Sequence, residues 1–471
     1  MTKFIFKWAF GALISLLVVP VAYGQDITGQ WNGLLKVQGT QLRVVFHISK
    51  TDTGLSSTMD SPDQGAKGIP VTSTTFENQV LKLAVTGSGL QYEGALTMDN
   101  QIVGEFRQGN FSSPLTLTRE AIEKEKIVRP QDPVGPLPYK AEEVKFTNAK
   151  DGTVLAGTLT LPEGERPFPA VVLISGSGAQ NREEELMGHR PFLVLSDHLT
   201  RNGIAVLRYD DRGTAGSTGD FSKATTPILA TDVEAAVNYL LTRKDIDKKK
   251  IGLIGHSEGG IIAPMVAAKR KDVRYIVLMA GTGIKGAELL LRQQELIGKA
   301  AGMTEDQLAK TYSNNKGAFD LVLNSNDETA LRSSLNDYFL KLLKDTPPEE
   351  KPSGVSDETL VKQQLEQYAN PWFVYFLKYD PSLILKKVNC PVLALNGSKD
   401  LQVPPRENLS AIKSSLESGG NKKVTVREYP NLNHLFQECK TGYPGEYGQI
   451  EQTISPQVLN EISAWILKQT R

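Results

Sequence analysis

The chain keeps two hydrophobic rhythms in succession. Between 25 and about 119 the apolar positions recur every second residue: Leu42, Val44, Phe46 and Ile48 alternate with Arg43, Val45, His47 and Ser49, and Leu81, Leu83 and Val85 repeat the pattern. Successive side chains of a strand point to opposite faces, so this period predicts half-buried strands and no helix. Turn sequences fall between the runs, at Asp52-Thr53-Gly54, Gly87-Ser88-Gly89 and Asp99-Asn100. The segment 25–119 is therefore expected to be an accessory β domain, an antiparallel sheet closed into a small barrel or sandwich. Residues 120–138 mix charge with Pro130, Pro133, Pro136 and Pro138, and predict a stiff linker.

From 139 to 471 strands alternate with helices. Val144–Phe146 and Leu155–Leu161 predict a leading hairpin. Six short apolar runs follow, at Ala170–Ile174, Ala205–Tyr209, Ile251–Ile254, Tyr275–Met279, Val392–Leu395 and Val424–Tyr429. They are mostly not alternating, as expected of strands buried on both faces of a parallel sheet. Apolar residues at helical spacing mark Ile228–Leu241, Ile261–Lys269 and Pro456–Lys468. The fold class is thus α/β, a mostly parallel sheet flanked by helices. About a hundred residues separate Met279 from Val392, too many for a structureless loop. Helical patterns at Ala287–Ala301, Glu305–Tyr312, Asp327–Leu343 and Glu358–Tyr368 make this a helical cap inserted at about 284–388.

Composition changes this picture little. Lys plus Arg equals Asp plus Glu, at 53 each, so the chain has no basic field with which to hold nucleic acid. The start of the chain matters more. Lys3 and Lys7 precede an apolar run from Trp8 to Val21, and Ala22-Tyr23-Gly24 supplies small residues where a signal peptidase cuts. Residues 1–24 are read as a signal peptide, leading to a periplasmic or secreted chain with no membrane span after cleavage. An uncleaved anchor is the alternative, but the run is shorter than the ~20 residues that span a bilayer and contains Pro20. Cys390 and Cys439 are expected as free thiols, because a strand length separates them in a parallel sheet.

The candidate chemistry centres on Gly255-His256-Ser257-Glu258-Gly259-Gly260, which ends an apolar strand and opens an apolar helix. In that context Gly-x-Ser-x-Gly forms a tight turn that exposes a serine at the helix N-terminus, the nucleophile of the α/β-hydrolase fold. A serine hydroxyl needs a base. The chain has five histidines, and the order of this fold, serine then acid then histidine, selects His434 in the loop after the last strand. Asp400, after Val392–Gly397, is the candidate acid; the alternative is a solvated turn aspartate. The backbone N–H of Glu258 and that of Ser177, with Gly178 in reserve, are the candidate oxyanion donors. The turn Ser175-Gly176-Ser177-Gly178 lacks the Gly-Lys-Ser/Thr sequence of a phosphate cradle. No cluster of His, Cys or carboxylates has metal-ligand spacing, so no metal or cofactor is expected.

Taken together with Arg208–Gly213, Gly216–Gly219 and Gln30-Trp31-Asn32-Gly33, and with Asp60–Gly65, these motifs occur in the order of a known group. The chain resembles bacterial α/β-hydrolase carboxylesterases that carry an N-terminal β domain. The resemblance implies hydrolysis of short-acyl carboxylic esters, with a small-molecule ester as the partner; oligomeric state is not implied. Many relatives have histidine where Ser175 stands. Asp210 and Arg212 are read as loop-fixing. Pro371–Phe376 is an aromatic cluster for which packing between cap and core is favoured over an acyl pocket. A prolyl-oligopeptidase-like peptidase is the runner-up, although about ninety residues of β domain cannot form a propeller at roughly 40 residues per blade. Acyl transfer to an alcohol other than water ranks third, and an inactive exported binding protein is the non-enzymatic alternative. Intact-mass measurement of the chain recovered from an exporting cell should give a first residue near Gln25; a full-length mass would identify the uncleaved anchor.

Overall fold

The computed structural model describes residues 26–471 apart from 38–39, 53, 63–65, 86–88, 109–110, 124–128, 348–350 and 352–355. The expected signal peptide, Thr53, Gly87-Ser88 and Asp63–Gly65 lie outside the described residues.

The alternating segment forms nine strands: β1 (Gly29–Val37), β2 (Thr40–Thr51), β3 (Gly54–Ser61), β4 (Ala66–Val71), β5 (Ser73–Glu77), β6 (Val80–Val85), β7 (Leu90–Leu96), β8 (Ile102–Gln108) and β9 (Phe111–Thr118). They make one antiparallel sheet in the order β4-β3-β2-β1-β9-β8-β7-β6-β5. The two edge strands are joined through Thr72 alone, and Ser57 Oγ on β3 lies 2.6 Å from Thr74 Oγ1 on β5, so the sheet rolls into a near-barrel. Its interior holds Trp31, Phe46, Leu81, Tyr92, Ile102 and Leu117, the inward half of the two-residue period. The Arg119 guanidinium lies 3.8 Å over the Trp31 ring, a cation–π cover for that core.

The second sheet has eight strands: β10 (Tyr139–Thr147), β11 (Val154–Pro162), β12 (Phe168–Ile174), β13 (Ala205–Tyr209), β14 (Ile246–His256), β15 (Val273–Met279), β16 (Val392–Gly397) and β17 (Val424–Tyr429). The order is β10-β11-β13-β12-β14-β15-β16-β17; β11 is antiparallel to both neighbours and the remaining pairs are parallel. Helices α1 (Pro191–Arg201), α2 (Thr226–Thr242) and α3 (Gly259–Ala267) precede a cap of α4 (Gly286–Ala300), α5 (Glu305–Asn324), α6 (Glu328–Lys344), α7 (Asp357–Tyr368), α8 (Pro371–Lys378) and α9 (Ser382–Leu385). Helices α10 (Pro405–Ser418) and α11 (Pro456–Gln469) complete the layers. The continuous apolar runs have a simple cause. On β12, Ala170, Val172 and Ile174 pack toward α2 and α3, whereas Val171 and Leu173 pack toward α1 and α11. This is the α/β-hydrolase architecture expected from the sequence, with its cap.

The structure departs from the pattern reading in three places. Helices α1, α9 and α10 were not predicted; α1 and α10 open on proline (Pro191, Pro405), which is favoured at the first helical position, as it is at Pro456 of the predicted α11. Helix α5 runs to Asn324, well past Tyr312. The polar stretch containing Gly317 obscures its period, yet a Cβ at Gly317 would overlap the Tyr338 hydroxyl of α6, so this glycine permits close packing. The linker is also no free spacer where it is described. Arg129 donates to the carbonyls of Ile450 (2.9 Å), Met187 (3.0 Å) and Gly448 (2.8 Å), and Gln131 donates to Ile454 (2.7 Å). Both cysteines are free.

Candidate active site

Strand β14 ends at His256 and α3 begins at Gly259, so Ser257 and Glu258 make the whole turn. A Cβ on Gly255 would overlap the Gly259 carbonyl, one on Gly259 would overlap the Ile174 carbonyl, and one on Gly260 would lie 2.6 Å from Gly281 Cα. Three glycines in this motif are therefore required by contact. The turn drives Ser257 to φ 52°, a left-handed conformation costly for an L side chain, and the Ser257 N–H donates to Met279 O at 2.9 Å. The strained, half-buried serine matches the nucleophile turn expected from the sequence.

Asp400 and His434 follow β16 and β17, on the same rim of the sheet. Asp400 is buried, which removes the solvated-turn alternative. Its Oδ1 accepts from the N–H groups of Gln402 and Val403, both at 2.8 Å, and its Oδ2 lies 2.8 Å from His434 Nδ1. A carboxylate fixed in this way accepts a hydrogen bond from Nδ1–H, which keeps the proton on Nδ1 and leaves Nε2 as the acceptor nitrogen. The histidine loop is equally constrained. Asn433 Oδ1 accepts from the N–H groups of Leu435 and Gln437, both at 3.0 Å, and a Cβ at Gly397 would overlap the Leu432 carbonyl. Among the described residues no hydrogen bond joins the Ser257 hydroxyl to His434. Catalytic hydrogen bonds of an unliganded site are commonly long and tighten with substrate.

The turn expected to supply an oxyanion donor packs on the serine: a Cβ at Gly176 would lie 3.2 Å from Ser257 Cβ. The N–H groups of Ser177 and Glu258 donate to no protein acceptor among the described residues. Gly178, the reserve donor, has φ 93°. Ser175, in the place of the usual histidine, donates to Asp211 at 3.1 Å, and Asp211 Oδ2 also accepts from the Gln180 N–H at 3.0 Å. Asp210 and Arg212 do fix loops. Arg182 grips Asp210 at 3.1 and 2.8 Å, and Arg212 grips Asp232 at 2.8 and 2.7 Å.

Three side chains at the site carry roles that the sequence reading did not assign. The buried Glu184 Oε1 accepts from the Gly176 N–H at 2.7 Å and lies 3.0 Å from His256 Nδ1. His256 Nε2 faces the His434 carbonyl at 3.0 Å, and the two imidazole rings are 4.8 Å apart. Glu258 turns its own carboxyl toward the cap, where Oε1 accepts from Trp372 Nε1 at 2.8 Å and Thr226 Oγ1 at 2.7 Å. Among the described residues its Oε2 is buried without a partner, and burial pushes the carboxyl above its usual range against those two hydrogen bonds. Trp372 also walls a cavity of about 370 Å³ with Gly178, Phe221, Ala224, Asn370 and Phe373. The aromatic cluster thus divides: Phe376 packs in the core, Trp372 and Phe373 also face the cavity.

Residues 151–426 match the family described as X-Pro dipeptidyl-peptidase (S15 family), more than half of the chain. The chain belongs to this family. The match stops short of His434. Esterase EstD of Thermotoga maritima is 28% identical over 322 residues, covering 68% of this chain and 67% of that protein. Acyl-coenzyme A thioesterase 5 of Mus musculus is 24% identical over 184 residues, or 39% of this chain and 40% of that one. Among solved structures, an esterase of Pyrococcus furiosus is 16% identical and covers 74% of this chain and 98% of its own, with a TM-score of 0.41. The chain is a serine hydrolase of the α/β-hydrolase fold, similar to bacterial esterases.

Asp211 generates a pH prediction. Burial, which outweighs the Gln180 and Ser175 hydrogen bonds, pushes its carboxyl up to about 7. An unfolded aspartate titrates near about 4. A raised acid keeps its proton in the folded state only, so its stabilising contribution is complete below pH ~4 and is lost as pH rises toward ~7. Thermal melts should fall across this window in the parent chain and fall less in Asp211→Asn; parallel curves would refute the assignment.

Proposed function

We propose that this chain hydrolyses carboxylic esters, short-acyl ones in particular, through an acyl-enzyme on Ser257. The observation that supports it most is the Asp400 carboxylate, whose two oxygens are committed so as to hold His434 through Nδ1, on the same rim as the half-buried Ser257. His434 Nε2 removes the hydroxyl proton as Ser257 Oγ bonds to the ester carbonyl carbon. The carbonyl π pair moves to oxygen, where the N–H groups of Glu258 and Ser177, with Gly178 in reserve, receive it. Collapse of the tetrahedral species breaks the bond to the alkoxy oxygen, which takes the proton from His434. Water repeats the sequence and releases the acid. We place this activity in the periplasm or outside the cell, on the strength of the expected signal peptide.

Release of X-Pro dipeptides from the end of a peptide, favoured by the family's description, is the second reading. It requires an anionic anchor for the substrate ammonium. Glu258, the carboxylate beside Ser257 in the chain, is sealed at 2% exposure and bonded to Trp372 and Thr226, and the cavity lined by Phe221, Ala224, Trp372 and Phe373 carries one carboxylate, the exposed Glu366. The sealed Glu258 and the aromatic walls favour an uncharged acyl group, as does the esterase among its relatives, whereas Glu366 is the carboxylate that the peptidase reading would use.

Aryl acetates should turn over faster than aminoacyl arylamides; the reverse order would install the peptidase reading. A fluorophosphonate should label Ser257 and no residue of Ser257→Ala, and a parent chain that stays unlabelled would favour a binding protein. Ser257→Ala should lower kcat by about 10⁶-fold and Asp400→Asn by about 10⁴-fold.

A further inference from the structure

We propose that Glu184 and His256 form a charged brace that positions the oxyanion turn and the base loop around Ser257. It rests on the ester-hydrolysis reading and adds two positioning residues to it. The brace joins three segments distant in sequence. Glu184 Oε1 takes the Gly176 N–H (2.7 Å) from the oxyanion turn and faces His256 Nδ1 (3.0 Å) beside the nucleophile, while His256 Nε2 donates to the carbonyl of His434 itself (3.0 Å). Both ring nitrogens of His256 therefore meet acceptors, an arrangement that suits the doubly protonated ring. Burial works against that charge, but Glu184 and the His434 carbonyl outweigh it and hold the imidazole pKa up.

A purely structural role explains the arrangement less well. Buried ion pairs lose much of their attraction to desolvation, and an apolar pair of similar volume stabilises a fold as well or better. Glu184 moreover sits at φ 50°, a conformation that L side chains rarely adopt. What an apolar pair lacks is the direction of the hydrogen bonds. These fix Gly176, one residue before the proposed donor Ser177, and the peptide of the base, relative to a serine whose own position is set by its turn. A misplacement of about 1 Å in such a site costs on the order of 100-fold in rate.

The test is steady-state kinetics on an aryl acetate with the full mature chain. Glu184→Gln keeps an acceptor for Gly176 but loses the charge, and should lower kcat by about tenfold with KM within twofold; Glu184→Ala, which removes both, should lower it by about 100-fold. His256→Gln retains a donor for the His434 carbonyl and should resemble Glu184→Gln. The rate of fluorophosphonate labelling at Ser257 should fall in the same order. Should Glu184→Ala fail to fold, Glu184→Gln and His256→Gln decide the matter. Unchanged kcat in those two folded variants, or a loss confined to KM, would overturn the brace. A parent chain that is not labelled at Ser257 would overturn the hydrolase reading first, and the brace with it.

Discussion

The approach of α3 to the strand ends is set by the absence of side chains at Gly255, Gly259 and Gly260, and the rest of the site is arranged around that contact. With Gly259 against the Ile174 carbonyl and Gly260 against Gly281, the helix N-terminus is wedged between the exits of β12 and β15. A single methyl group at any of the three would move the helix by a distance comparable to the tolerance of a reacting geometry. The wedge accounts for the strained Ser257, for the oxyanion turn lying against it, and for the carboxyl of Glu258 reaching the cap. Strain at Ser257 persists because its surroundings over-determine it.

The other rim of the site obeys a related rule. Gly397 lets the end of β16 touch the peptide of Leu432, and Asn433 folds the following residues around its own side-chain oxygen. Lower down, His189 meets Thr453 Oγ1 at 3.0 Å and the Tyr447 carbonyl at 2.9 Å, so the loop after β17 rests on a fully buried polar support. A buried network satisfied to this degree is stiff, since opening any member exposes an unpaired group in a low dielectric.

Much of this was legible in the sequence because it follows from periods and from backbone contacts. The strands at Ala205–Tyr209 and Val424–Tyr429 match their predicted limits, since an apolar run bounded by turn residues has few other solutions. Asp400 was reachable because it ends a strand in a known chain order, and His434 because few histidines compete. Glu184 and His256 carried no such signal. Glu184 stands in the middle of three consecutive glutamates, a pattern that looks like solvated surface, and its partner is 72 residues away. His256 was set aside because it cannot turn back onto Ser257; its side chain instead reaches the peptide of His434, 178 residues along the chain. Polar long-range partners have no periodicity from which to be read.

Arg129 alters what counts as the catalytic unit. Its guanidinium collects the carbonyls of Met187, Gly448 and Ile450, which belong to loops packed around His189 and the support of the histidine loop. All three acceptors are tied together by one residue upstream of β10 that folds back over them. The smallest fragment able to keep the wall beneath His434 intact must include residue 129, and a cut placed at the first strand of the second sheet would remove the cation from all three carbonyls at once.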